Sequence, residues 1–295
     1  MTLSGYTNVK DFGAVGDGVN DDTNSIRAAI TDCGVGGIIF LPPGSYRITT
    51  ELVINSNVSI IGAGSESTNT DTTPPGTQAV TRLLYDPTSP GGAVIKQLGV
   101  TTQRIQDLSI DGNGKADVGI GFDRFRFGIV EHVRIMRVQA YGILAVPKAS
   151  YAHDNFMGNM FTNIQIASNA TCIRLDGITE SEKVHGNCCH NSFHGLFLDH
   201  CNWAIELGDC DNNAFYMTYI FRRKAFGQNT DVVFDIGARS NRFYHLQGEV
   251  YAKGRPNEPN GIWGYDTENG QAHPYVEPGS KLYWSEWPCK LSHFS

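Results

Sequence analysis

Three charged residues in this 295-residue chain are spaced so that one turn of a coil would bring them together: Arg174, Asp176 and, 32 residues beyond the arginine, Glu206. Residues two apart on a strand share a face, and neighbouring strands lie about 4.8 Å apart, so a chain that returns once per coil clusters all three. Tyr141 and Trp203 fall beside them in the same alignment, and Asp123 stands two coils earlier in the column of Asp176. Arg174 is the only basic residue in these columns. A solvated strand face is usually Ser, Thr and Lys; aromatic rings beside an Arg and carboxylates suit a carbohydrate groove, where rings stack on sugars and charged forks hold hydroxyls or uronates. Two chemistries fit. Taking a proton from beside a carboxylate needs a cation on that carboxylate, a base, and for cleavage an acid at the leaving oxygen. Arg174 would supply the first, and Tyr141, Lys148 or a nearby histidine the others. Hydrolysis needs two flanking carboxylates, and the Asp176–Glu206 diagonal of about 8 Å falls within the ~6.5–9.5 Å of an inverting pair. A plain cross-strand ion pair is the alternative to both.

The elements that position these residues announce themselves by repetition. Asn-x-Phe recurs at Asn159–Phe161, Asn191–Phe193, Asn213–Phe215 and Asn241–Phe243, at intervals of 32, 22 and 28 residues. A second register carries a branched residue at Ile143, Ile173, Ile205 and Val233, with Ile120 before it and Ile262 after. Strands recurring at this length with no helical period predict a stacked β-solenoid. Each Phe would join an aromatic core ladder. Each Asn would sit in a turn, in the left-handed region, paired with the Asn of the next coil. Ile105-x-x-Leu108-x-Ile110, Val130-x-x-Val133-x-Ile135 and Phe161-x-x-Ile164-x-Ile166 read as half-buried strands of the same stack.

Glycine, at 33 residues, exceeds its usual share of about 7 %, as three turns per coil require. A net charge of −7 with few charged residues leaves no basic face for nucleic acid. No apolar run reaches the roughly 18 residues of a membrane span, and the first twelve residues show no signal peptide. Seven cysteines in no metal-ligand spacing predict buried thiols rather than a disulfide framework.

Upstream, Ser25-Ile26-Arg27-Ala28-Ala29-Ile30 has helical apolar spacing, with Asp21 or Asp22 as N-cap and Gly34 as the stop. An open solenoid end exposes unpaired strand edges, and a helix laid across it covers them. The whole run, NVKDFGAVGDGVNDDTNSIRAAI followed by IIFLPPGSYRI, resembles the start of the pectate-lyase-like right-handed β-helix superfamily of polysaccharide lyases, mannuronan C5-epimerases, some hydrolases and phage tail-spike depolymerases. The resemblance covers about 50 residues and implies the fold more than the reaction. Leu108 to Lys115 resembles the epimerase segment bearing a lysine for the substrate carboxylate, which makes Lys115 that residue. Ala140-Tyr141-Gly142-Ile143 resembles the coil whose tyrosine takes part in proton transfer, and Asp176 matches a groove aspartate. The epimerase pattern has Asp and His shortly after that tyrosine, where this chain has Leu144 and Val146.

These readings converge on one all-β domain over 1–295, a single-stranded right-handed parallel β-helix. Residues 1–50 would form a capping helix and first coil, 51–265 the stacked coils, and 266–295, with Trp284 and Trp287, a cover for the last coil. The function expected is β-elimination or C5 epimerisation of an acidic, uronate-containing polysaccharide. Tyr141, Arg174, Asp176, Glu206 and Lys115 would do the chemistry; Trp203, Asp123, Lys148, Arg222 and Arg223 would hold substrate. The rivals are an inverting glycoside hydrolase using Asp176 and Glu206, and a glycan-binding or virion tail-spike module without chemistry. No cofactor is required, with Ca²⁺ left open. The partner is a polysaccharide or oligosaccharide, the assembly a monomer or homotrimer, and the setting extracellular or virion-associated.

Overall fold

The structure is a computed structural model describing residues 5–54, 57–66, 80–147, 156–167, 171–177, 188–201, 203–208, 210–221, 232–234, 241–247, 250–252, 261–263 and 282–284. It is mostly β, and its named strands pair in parallel in two long sheets. From the middle of the chain onward, the coils add strands to both sheets, and the short strands Phe156–Met157 and Cys188–Cys189 extend the second beside Val118–Arg126. Arg104–Asp111, Ile129–Met136, Met160–Ala167, Ser192–Asp199, Ala214–Phe221, Arg242–Gln247 and Gly261–Trp263 follow one another in the first. Val118–Arg126, Tyr141–Ala145, Thr171–Leu175, Trp203–Leu207, Val232–Phe234, Val250–Ala252 and Leu282–Trp284 do so in the second, preceded by Leu52–Ile54 and Ala93–Thr101. Successive strands of the first sheet carry a left-handed residue at one position, Asp107, His132, Asn163, Gly195 and Met217. That column kinks the eight-residue strands in mid-length.

The Asn-x-Phe register is a double ladder. Phe161, Phe193, Phe215 and Phe243 are fully buried, with ring centroids 4.5, 4.6 and 4.4 Å apart and nearly parallel planes. Asn159, Asn191, Asn213 and Asn241 are buried too. Nδ2 of each of the first three donates to the next coil's Oδ1, at 2.9, 2.8 and 2.9 Å. The left-handed conformation expected of these asparagines belongs instead to the residue before each of the first three, Gly158, His190 and Asn212. The preceding residue makes the turn, and the Asn fastens it.

The branched column runs Ile95, Ile120, Ile143, Ile173, Ile205, Val232. Val233 is thus one place off and pairs with Glu206, because two adjacent valines leave the register ambiguous from pattern alone. Ile262 belongs to the other sheet, beside Phe243.

A helix at Thr23–Cys33 buries Ile26, Ala29 and Ile30 in the same core and is followed by Gly34 at φ +67°. Asp22 is its N-cap residue, but the Asp22 carboxylate accepts the Val15 and Gly16 N–H groups at 2.6 and 2.9 Å. Asp21 accepts from the Thr23 N–H instead. The expectation of thiols alone is corrected at one pair. Cys172 and Cys201 form a disulfide across a 6.0 Å Cα separation, because adjacent coils bring together cysteines 29 residues apart. Cys188 and Cys210 are buried free thiols, and burial is the leading cause of the raised Cys188 pKa.

Candidate active site on the outer face of the second sheet

Thr171–Leu175 is a strand because Thr, Cys and Ile suit a pleated, half-buried surface, with Ile173 and Leu175 packed inside and Arg174 left outside. The register places Val53, Lys96, Gly121, Leu144, Arg174 and Glu206 in one outward column, and pairs Val233 with Glu206 in the next strand. Arg174 meets Glu206 as expected, Nη1 to Oε2 at 2.8 Å, and its Nη2 meets Asp176 Oδ2 at 2.6 Å. Burial opposes the guanidinium charge, yet the hydrogen bonds and charges of Glu206 and Asp176 outweigh it and raise the Arg174 pKa. The trio carries one more negative than positive charge. Gly208 stands in the next coil beside Asp176, where even a Cβ would come within 2.5 Å of the carboxyl carbon. This coil is shaped around Asp176.

Tyr141 opens its strand in register with Thr171 and Trp203, all at the same edge of the sheet. Tyr141 and Trp203 are half-buried, and the Tyr141 hydroxyl makes no hydrogen bond among the described residues.

Two coils before Arg174, the column dips at Gly121, and a cavity of about 220 Å³ opens over it. Lys96, Asp117, Asp123, Glu51, Leu144 and Val146 contribute to its walls. Glu51 Oε1 accepts the Ala93 N–H at 2.7 Å, and Asp117 Oδ2 the Gly92 N–H at 3.2 Å, so both carboxylates are tied to backbone. Lys96 has no hydrogen-bond or ion-pair partner among the described residues. Lys96 corrects the expectation that Arg174 is the only base of these columns. Its strand lacks an Asn-x-Phe marker; the signal that could have found it is Ala93-Val94-Ile95-Lys96, which repeats the form of Val118-Gly119-Ile120-Gly121.

Lys115 lies apart from the trio, on the turn between a first-sheet strand and the Val118 strand. Its Nζ contacts the Asp86 carboxylate, which also accepts from Arg47 Nε at 2.7 Å. Hydrogen bonds from Lys115 first, then Arg47, hold the Asp86 pKa below the ordinary carboxylate value. Two cations share the Asp86 carboxylate here, and Arg47 also lies in the field of the Asp21 carboxylate. Lys148, Arg222 and Arg223 lie outside the described residues. The described residues contain no cluster suited to a metal ion.

Residues 6–123 match the family model described as rhamnogalacturonase A/epimerase, pectate lyase-like. Among curated proteins, mannuronan C5-epimerase AlgE1 of Azotobacter vinelandii is 34 % identical over 186 residues, 54 % of this chain and 13 % of that protein. Alginate lyase 7 of the same organism is 33 % identical over 189 residues, 55 % of this chain and 21 % of that protein. The chain therefore spans only a small part of these relatives. Among solved structures, ORF18 of Geobacillus virus E2 superposes with a TM-score of 0.54 at 18 % identity, covering 95 % of this chain and 61 % of that one. That likeness speaks for the fold alone.

Proposed function

We propose that this chain is one right-handed β-helix domain, closed at its start by the Thr23–Cys33 helix, that acts on an acidic, uronate-containing polysaccharide by C5 epimerisation or β-elimination. The right-handed sense follows from the crossover preference of parallel strands. The observation that carries the activity is Lys96, a half-buried cation without a partner among the described residues, opening onto a cavity in the same column as Arg174. The relatives, named as epimerases and a lyase of uronate polymers, point to the same substrate class.

In this reading Lys96 and Lys115 meet substrate carboxylates and stabilise the charge that grows as the C5 proton leaves. The Tyr141 hydroxyl, which makes no hydrogen bond among the described residues, exchanges that proton, and Trp203 and Asp123 hold the sugar. Arg174 positions Asp176 and Glu206. An inverting hydrolase needs open water between its carboxylates, whereas here the Arg174 guanidinium bonds to both. A disulfide between neighbouring coils suits an extracellular or virion setting, where oxidising conditions preserve it.

Incubation with mannuronan and polygalacturonate in D₂O, followed by NMR, tests the reading. Deuterium at C5 without new chain ends marks an epimerase, and a 4,5-unsaturated terminus marks a lyase. Saturated reducing ends alone mark a hydrolase and overturn the proposal, as does an unchanged polymer.

A further inference from the structure

The glycines in and beside the second sheet differ in what holds them to glycine. A Cβ on Gly119 would lie 2.6 Å from the Gly142 carbonyl oxygen, and one on Gly142 would lie 2.6 Å from that of Cys172. One on Gly208 would strike the Asp176 carboxylate. Packing forbids a side chain at all three. Gly121 is under no such constraint. Its φ lies outside the left-handed region, and among the described residues its Cβ would meet only the Ala93 Cβ and the Val118 Cγ1, both at 3.8 Å, an ordinary contact. Glycine in mid-strand loses the most entropy on folding and has no side chain to pack. A β-branched residue would serve the strand better, so the reason for Gly121 lies outside the fold.

That reason is the space above it. Gly121 stands between Lys96 and Leu144 in the outward column, under the cavity of about 220 Å³, so a side chain here would project into it. This volume is below the roughly 300–1,000 Å³ of a pocket for a drug-sized ligand and suits one sugar ring rather than several. Ala93, Val118, Leu144 and Val146 offer apolar wall to the C–H face of that ring. Lys96 meets its carboxylate, and Asp123, two residues on from Gly121, accepts from a hydroxyl. We infer that Gly121 is a specificity-determining residue: the side chain it lacks is the seat of the uronate ring whose carboxylate meets Lys96, and a larger residue shuts that ring out. The inference rests on the function proposed above and adds the residue that sizes its site.

Gly121→Ala and Gly121→Val test it, with Gly142→Ala for comparison, through the denaturation midpoint and through kcat and KM on whichever of mannuronan and polygalacturonate the wild type turns over. Both Gly121 variants should denature at the wild-type midpoint or above it, and Gly142→Ala below it, since its Cβ meets a carbonyl oxygen. The kcat/KM should fall about ten-fold for Gly121→Ala and about 10²-fold or more for Gly121→Val, chiefly through KM, because the added carbons occupy the seat. Wild-type kcat/KM in Gly121→Val, or a loss confined to kcat, overturns the seat. A lowered midpoint in both Gly121 variants overturns it too, by showing that the fold requires the glycine. Each of these results leaves the proposed function standing. If the wild type turns over neither polymer, the proposed function fails and takes the inference with it.

Discussion

Inside the stack, coil after coil repeats the same residue: four buried Phe, four buried Asn, and a column of buried Ile. On the outer face of the second sheet, over the same coils, the column reads Lys96, Gly121, Leu144, Arg174, Glu206, with no two residues alike. The contrast separates two demands on one backbone. Stacking requires each coil to present its neighbour with a matching surface, so identical residues satisfy it best. A ligand lying across several coils meets different atoms at each step, so a binding face must vary. In a solenoid, monotony reports the fold and heterogeneity reports the use.

Removing the start of the interior is the harshest test of this division. A chain lacking residues 1–36 loses the buried Ile26, Ala29 and Ile30, and should elute as aggregate in size-exclusion chromatography because strand edges are left open. A soluble monomer would show that the helix covers nothing essential. Within the ladder, Phe215→Ala should cost about 3–5 kcal/mol, read as a lowered denaturation midpoint, since its ring stacks on Phe193 and Phe243. An unchanged midpoint would break the ladder side of the comparison.

On the variable face the effects should move from stability to catalysis. Lys96→Met should lower kcat/KM by about 10²-fold with no measurable change in denaturation midpoint. Arg174→Met should behave differently, losing activity and also about 1–2 kcal/mol, because it leaves Glu206 and Asp176 facing each other without their cation. Equal stability losses for the two variants would erase the distinction between a substrate cation and a positioning one.

The smallest effect concerns pH. The folded-state pKa of Asp86 is depressed, so its contribution is complete above the ordinary carboxylate pKa and is lost as pH falls through the folded value. The side chain is 26 % exposed, so Asp86→Asn should cost about 1 kcal/mol or less at neutral pH. It should also flatten the acid limb of a stability–pH profile. An acid limb as steep as that of wild type would place the titrating group elsewhere.

The interior was legible in the sequence because its requirement is specific to residue type. Only Asn both caps a turn and pairs with its own kind, so Asn-x-Phe stands out from other polar–aromatic pairs. The branched column, aligned on Ile173 and Ile205, placed Arg174, Asp176 and Glu206 together. That column was begun at Ile120, one coil after Ile95, and so missed Lys96 and the Gly121 cavity. It slipped by one at Val233, where either of two valines satisfies a branched position. The Cys172–Cys201 bond was hidden for a related reason: Cys172 lies within its strand, whereas Cys201 precedes the next one, so column counting never sets them side by side.

The asparagine ladder has an orientation. The backbone N–H groups of Asn159, Asn191 and Asn213 donate to the side-chain oxygen of the next Asn at 3.1 Å, so that oxygen must face them and the amide nitrogen must point onward. Every side-chain amide in the column is therefore aligned head to tail, and the small dipoles add along the axis as peptide dipoles do along a helix. Each amide polarises the next, which makes an interior asparagine such as Asn191 worth more than a terminal one. A coil stacked in the reverse sense would set nitrogen against nitrogen. The column thus gives the stack a direction of growth as well as an adhesive.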